Sequence, residues 1–163
     1  MKRPGLYLSC VASVLLFSCT QRADKSSASK DSLSTVADTP SDSACFVAHD
    51  VKDTANLVLH TFDKGKVKGH LLIKYIDKGK NDGQIEGAYK GDTLFVDYTF
   101  KIGTTNETTY KNPLAFLKKD GKLILGVGQI ETSLGRSYFV KGKPISFDKG
   151  RFTFTPTACK DSI

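Results

Sequence analysis

The sequence predicts an all-β fold: an antiparallel meander of about eight to ten strands, closed as an up-and-down barrel or clam, with a Greek-key sandwich as the alternative. Three observations predict it. Beyond Cys45, apolar and polar residues alternate with period two, the pattern of half-buried strands. Asp and Gly recur together between the alternating runs, as tight hairpins require. Two cysteines, Cys45 and Cys159, bracket the region, and a bond between its first and last strands would set those strands side by side, as closure demands.

The chain begins with a different grammar. Lys2 and Arg3 precede an apolar run from Leu6 to Phe17, interrupted by Ser9, Cys10 and Ser13, which is the layout of a signal peptide over residues 1–18. The run is shorter than the roughly 20 residues that a membrane-spanning helix needs. Its end, Leu16-Phe17-Ser18-Cys19, resembles the lipobox of bacterial lipoproteins. That resemblance implies cleavage before Cys19 and acylation of its sulfur, making Cys19 the lipid anchor. More than one acyl chain is needed for lasting attachment, since each buried methylene contributes roughly 0.8 kcal/mol. The resemblance implies an outer-membrane lipoprotein of the cell envelope. Thr20-Gln21-Arg22-Ala23-Asp24 carries no acidic run, which points to the periplasmic face, with the cell surface as the alternative.

Residues 19–44 read as the acylated Cys followed by a tether. Thr20 to Ala44 holds seven serines, one proline and no aromatic, too little apolar surface to offset its ordering entropy. A flexible stretch of that length has a root-mean-square reach of roughly 25 to 30 Å. Residues 45–163 then form one domain, long enough for one core.

Within the domain, Val67 to Tyr75 and Leu94 to Phe100 alternate most cleanly. Shorter runs at Leu57 to Phe62, Ile85 to Tyr89, Leu114 to Leu117, Leu123 to Val127, Tyr138 to Val140, Ile145 to Phe147 and Phe152 to Phe154 are further strands. The turns between them repeat as Asp63-Lys64-Gly65, Asp77-Lys78-Gly79, Asp120-Gly121 and Asp148-Lys149-Gly150. Asp opens such a turn through its side chain, and Gly supplies the positive φ that a three-residue hairpin with a bulge requires. No amphipathic helix of three turns is found. Around Lys90-Gly91-Asp92, alternation puts Ile85, Gly87, Tyr89, Leu94, Val96, Tyr98 and Phe100 on the inner face, with Gly87 leaving room for Tyr98 or Phe100 opposite.

The net charge of +7 includes Lys2 and Arg3, so the chain from Cys19 carries +5. From Cys45 onward, 19 Lys and Arg face 13 Asp and Glu, giving +6. The lysines are spread through turns, and no Arg-rich cluster with interleaved aromatics occurs, so no nucleic-acid partner is expected. With Cys10 removed and Cys19 acylated, Cys45 and Cys159 remain, and in an oxidising compartment that pair is most simply a disulfide.

Asn81-Asp82-Gly83-Gln84-Ile85-Glu86-Gly87 leads into Gly91-Asp92-Thr93-Leu94-Phe95-Val96-Asp97-Tyr98-Thr99-Phe100, followed by Ala115-Phe116-Leu117-Lys118-Lys119 and Gly126-Val127-Gly128. With the lipobox and the cysteines, this resembles a group of small Bacteroidetes-type envelope lipoproteins that share a Gly-Asp-Thr-Leu-x-x-x-Tyr-x-Phe core. In that group a Ser-Glu-Gly-like turn and an Arg-Glu pair follow the Tyr-x-Phe strand. Gly103-Thr104-Thr105-Asn106-Glu107 and Tyr110-Lys111-Asn112-Pro113 stand here instead, so any role of that pair does not carry over. The group brings no activity that transfers.

Candidate chemistry is sparse. His49, His60 and His70 are the three histidines, and a three-residue turn at Asp63 would put His60 opposite His70; an exposed polar pair is expected there rather than a metal site. Asp77 to Gly83 carries Asp82 where a calcium loop wants Gly and lacks its flanking helices, so it reads as a hairpin. No metal or other cofactor is expected. Glu86, Asp97, Glu107 and Glu131 are the available carboxylates; Glu86 and Asp97 fall on the outward face beside lysines. There is no Gly-x-Ser-x-Gly elbow, and Gly126-Val127-Gly128 lacks the helix of a dinucleotide site. What remains is the barrel interior, whose aromatics either fill it or line a cavity. Tyr75, Tyr89, Tyr98 and Phe100 are the candidate ligand-binding residues.

The expected function is therefore a membrane-tethered, non-enzymatic binding or structural module of the envelope, held by acylated Cys19, with a lipid, glycan or protein ligand. One alternative is a lysozyme inhibitor, because the chain is similar in size and layout to small disulfide-bonded lipoproteins with that role, although a domain at +6 meets basic lysozymes unfavourably. The other is an enzyme using carboxylates at the barrel mouth, where raised carboxyl pKa values would mark it.

Overall fold

The computed structural model describes residues 39–159, nearly all of them strand, turn and loop. The stretches expected as signal peptide and as most of the tether, with Cys19, lie outside the described residues. Ten strands occur: β1 (Asp42–Asp50), β2 (Asp53–Thr61), β3 (Lys66–Tyr75), β4 (Gly79–Lys90), β5 (Thr93–Ile102), β6 (Thr109–Lys119), β7 (Lys122–Leu125), β8 (Ile130–Ser133), β9 (Arg136–Phe139) and β10 (Thr153–Thr157). Eight of them form a closed antiparallel barrel in the order β1-β10-β7-β6-β5-β4-β3-β2, and β8 pairs with β9 in a separate two-stranded sheet. The fold is thus the predicted up-and-down meander, with one excursion between β7 and β10.

Closure is made where the cysteines predicted it. β1 pairs with β10 in the register Cys45↔Thr157, Phe46↔Pro156 and Val47↔Thr155. The Cys45–Cys159 disulfide staples the two strands, with Cα atoms 5.1 Å apart. β1 starts at Asp42, so Asp42, Ser43 and Ala44 belong to the barrel wall rather than to the tether.

Three of the four Asp and Gly turns join paired strands as hairpins. Asp148-Lys149-Gly150 does not, lying in the excursion before β10 without a positive φ at Gly150. Two further corrections concern the histidines and one strand. Between β3 and β4, Tyr75 pairs with Gly79 and the loop is Ile76-Asp77-Lys78; Gly79 takes φ 77°, a conformation that costs glycine nothing. Between β2 and β3, Asp63 to Gly65 form a tight turn in which Lys64 and Gly65 take φ 60° and 69°, and Thr61 pairs with Val67. His60 consequently faces Lys68 and not His70, which faces Val58. His60 Nδ1 instead shares a 2.8 Å hydrogen bond with Ser43 Oγ, and His70 Nε2 lies 2.7 Å from Asp82 Oδ1. The second correction concerns Ile145 to Phe147, expected as a strand. A single antiparallel bridge from Ser146 to Val127 is all that forms; Ile145 and Phe147 on either side pack on Gly126, where a Cβ would strike both.

The inner face is the one that the period-two alternation predicts. Leu57, Leu71, Ile85, Leu94, Phe116, Leu123 and Phe154 are each no more than 1% exposed, and Val96, Tyr98 and Phe100 join the same cluster. The interior is filled. Tyr98 stacks on Phe100 at 4.5 Å between ring centroids, and Phe116 meets Phe154 edge-on at 5.6 Å. The partner expected for Gly87 is corrected by the two-residue Gly91-Asp92 turn, which pairs Lys90 with Thr93. Val96 stands opposite Gly87, Tyr98 opposite Ile85, and Phe100 opposite Gly83. Gly87 serves a different end: a Cβ there would fall on the Phe95 carbonyl, so the glycine allows the close approach of β4 and β5.

The antiparallel order sorts the connections into two ends. The β1–β2, β3–β4 and β5–β6 turns and the excursion at 126–152 lie at one end, called the mouth. The β2–β3, β4–β5 and β6–β7 turns lie at the other, the base, where the chain also enters at residues 39–41. Ser41 N–H donates to the Thr61 carbonyl at 2.7 Å and fixes that entry.

Candidate functional site

The mouth holds a cleft of about 530 Å³ lined by Asp53, Tyr75, Asp77, Lys78, Asn81, Ile102 and Arg151. Its walls are built from strand ends. Asp53 opens β2 on the inner parity shared by Ala55, Leu57 and Leu59, so it points inward and is 9% exposed. A carboxylate there requires partners. Asp53 Oδ1 accepts the Ile76 N–H at 2.9 Å, and Oδ2 accepts Arg151 Nη2 at 2.7 Å. Arg151 Nε also donates to Asp50 Oδ2 at 2.5 Å. One guanidinium thus ties the β1–β2 turn to the segment entering β10, while Asp53 ties in the β3–β4 turn.

These contacts set the charge state. The Ile76 N–H, and after it Arg151, hold the Asp53 carboxyl below its ordinary 3.8. The Asp53 and Asp50 carboxylates raise Arg151 above its ordinary value. An Asp kept ionised in this way is a fixed anion and a poor proton donor near neutral pH. Burial pushes the Tyr75 phenol above 10.0, so it stays a neutral hydroxyl. The cleft therefore offers a phenol face and hydroxyl, a carboxamide at Asn81, the apolar Ile102, and the free edges of an ion-pair network.

The four aromatic candidates do not share one site. Tyr75 lines the mouth cleft. Tyr89 lines a second hollow, of about 620 Å³, at the base. Tyr98 and Phe100 lie between them in the packed core, 3% and 6% exposed, and Tyr98 Oη donates to the Leu71 carbonyl at 3.0 Å. Cys45 and Cys159 sit on the wall as the disulfide, and Cys19 is outside the described residues.

The four carboxylates singled out from the sequence are away from the mouth cleft. Glu86 and Asp97 face each other across β4 and β5 on the outer wall, each beside a lysine: Lys68 at 3.9 Å and Lys111 at 2.8 Å. Glu107 pairs with Lys101 at 3.1 Å, and Glu131 is exposed on β8. Sequence reasoning missed Asp53 and Arg151. The signal for Asp53 was present, since it is an acid on the inner parity of an otherwise apolar strand; Arg151, separated from it by 98 positions, offered none.

Among the described residues no group of three or more His, Cys, Asp or Glu is placed to hold a metal ion, and no helix is long and apolar enough to cross a membrane. The chain matches no protein-family model, no curated protein and no solved structure.

Proposed function

We propose that the protein is a membrane-tethered, non-enzymatic binding module of a bacterial cell envelope, and that its ligand is a glycan seated in the mouth cleft. One observation carries the choice of site and ligand. The Tyr75 hydroxyl and the Asn81 carboxamide make no hydrogen bond to another described residue, yet both line one cleft beside Ile102 and Arg151. An aromatic face with convergent, unspent hydrogen-bonding groups suits the alternating CH and OH faces of a sugar ring. The filled interior disfavours a lipid chain held inside the barrel.

The tether reading rests on the lipobox-like Leu16-Phe17-Ser18-Cys19 and the serine-rich stretch after it. With the chain entering at the base, an anchor at Cys19 leaves the mouth at the far end of the barrel from the point of attachment. Saturation-transfer NMR against a panel of oligosaccharides tests the ligand. The expected result is transfer to sugar ring protons that is lost in Tyr75→Ala and in Asn81→Ala. Absence of transfer from every saccharide, or transfer indifferent to both substitutions, overturns the reading.

A further inference from the structure

The base of the barrel is built unlike the mouth. Its hollow has an apolar floor made by Ala44, Phe46, Leu59, Tyr89, Leu123 and Pro156. Six lysines, Lys64, Lys66, Lys90, Lys118, Lys119 and Lys122, stand in or beside the three turns that surround it, all exposed. Among the described residues none of the six is in an ion pair, so their ammonium groups are available to a partner. Four carboxylates, Asp42, Asp63, Asp92 and Asp120, share this end, so it keeps a net charge of +2 by count of the ten groups. Lys90 extends along the outer wall with its ammonium 5.6 Å from the Phe95 ring centroid; the hollow itself is lined by Lys118 together with Asp42 and Asp92, so the surplus positive charge stands on the turns around it.

The chain's path says what this end meets. The 38 residues ahead of the first described one reach the barrel here, pinned by Ser41 to Thr61. We propose that the base seats on an anionic bilayer, with lysines against lipid phosphates and the apolar hollow over the upper acyl region. This rests on the tether reading above. A surplus of two charges binds an anionic membrane weakly by itself, but a short tether supplies an effective concentration of about millimolar, so a weak surface suffices. The consequence is orientation: the mouth cleft points away from the membrane instead of tumbling beside it.

The chain contains no Trp, so single introduced tryptophans report position without background. The acylated full chain carrying Tyr89→Trp at the base, or Ile76→Trp at the mouth, is reconstituted on brominated phosphatidylcholine vesicles with and without phosphatidylglycerol. The expected result is quenching of the Tyr89→Trp reporter severalfold above that of Ile76→Trp with phosphatidylglycerol. The difference should collapse in pure phosphatidylcholine, in high salt, or with Lys118→Glu and Lys119→Glu together. Equal quenching of both reporters on vesicles that still carry the protein overturns the seating and leaves the tether intact. A Tyr89→Trp reporter shielded from both brominated lipid and acrylamide means that another part of the chain fills the hollow, which also overturns it. A chain that floats with neither vesicle overturns the tether reading, and the seating with it.

Discussion

The hydroxyl of Tyr98 on β5 donates a 3.0 Å hydrogen bond to the carbonyl of Leu71 on β3, reaching past the intervening β4 inside the barrel. The bond lets a polar aromatic serve as core. It also gives two separable costs. Tyr98→Ala removes a ring that is 3% exposed and should lower stability by roughly 3 to 5 kcal/mol, as large aromatic truncations do. Tyr98→Phe keeps the ring and takes the donor from Leu71, which should lower it by about 1 to 3 kcal/mol. Urea melts of the three proteins measure both; a Tyr98→Ala variant as stable as the parent would contradict the packed interior.

The same phenol predicts a base limb. Burial, foremost, raises the Tyr98 pKa above the ordinary 10.0. The folded state therefore holds the neutral form while the unfolded state ionises first. This contribution to stability is fully present below pH 10 and is lost as pH rises from there through the folded value. Tyr98→Phe should flatten that decline, and melts between neutral pH and the alkaline limb read the difference.

Asp53 predicts the opposite limb. Its folded pKa is lowered, first by the Ile76 N–H and then by Arg151, so its contribution is present above 3.8 and is lost as pH falls through the folded value. Asp53→Asn should be less stable than the parent at neutral pH, and the gap should narrow on acidification below that carboxylate range. A gap that widens with acid would mean that the ion pair with Arg151 is not what holds the mouth together.

How much of this was legible in the sequence depends on range. Period-two alternation places Leu57, Leu71, Ile85, Leu94 and Tyr98 inside because side-chain direction is a local property of a strand. The Cys45–Cys159 pair conveys closure because a covalent link is non-local information written in two letters. β1 was hidden, since Cys45-Phe46-Val47-Ala48 is continuously apolar and its first residues look like tether. Ile145 to Phe147 alternates like a strand, but its pairing stops at the one bridge to Val127. The mouth cleft was half visible. Tyr75 is on a clean inner parity, whereas the Asp50, Asp53 and Arg151 network depends on where β10 begins after a long excursion, which no local pattern encodes.

The disulfide closes a loop of 114 positions in sequence. By chain entropy a link of that length stabilises by roughly 4 to 5 kcal/mol, through the unfolded state. The paired Cys45→Ala and Cys159→Ala substitutions should cost up to that amount while leaving the barrel intact, because β1 and β10 also share ladder hydrogen bonds. Chemical denaturation with matched far-ultraviolet circular dichroism tests both halves. A variant that loses its β signal in buffer would mean that the strands cannot hold the seam alone.

Four non-glycine residues among those described take positive φ, and the one in the β1–β2 turn is the β-branched Val51. Val51 has φ 55° and is 96% exposed, so a β-branched residue sits in the left-handed region with no packing to compensate it. That conformation costs an L side chain roughly 1 to 2 kcal/mol, and Asn tolerates it far better. Val51→Asn should raise stability by about 1 kcal/mol, since there is little buried surface to lose. Asp50 and Asp53 flank the turn and pair with each other, and both bind Arg151, which explains how the loop is held in an unfavourable shape. Relieving Val51 in an Arg151→Ala background should therefore gain less, because that loop is free to relax by itself. Thermal melts of the two single variants and the double variant give the coupling; full additivity would mean that Arg151 does not enforce the turn.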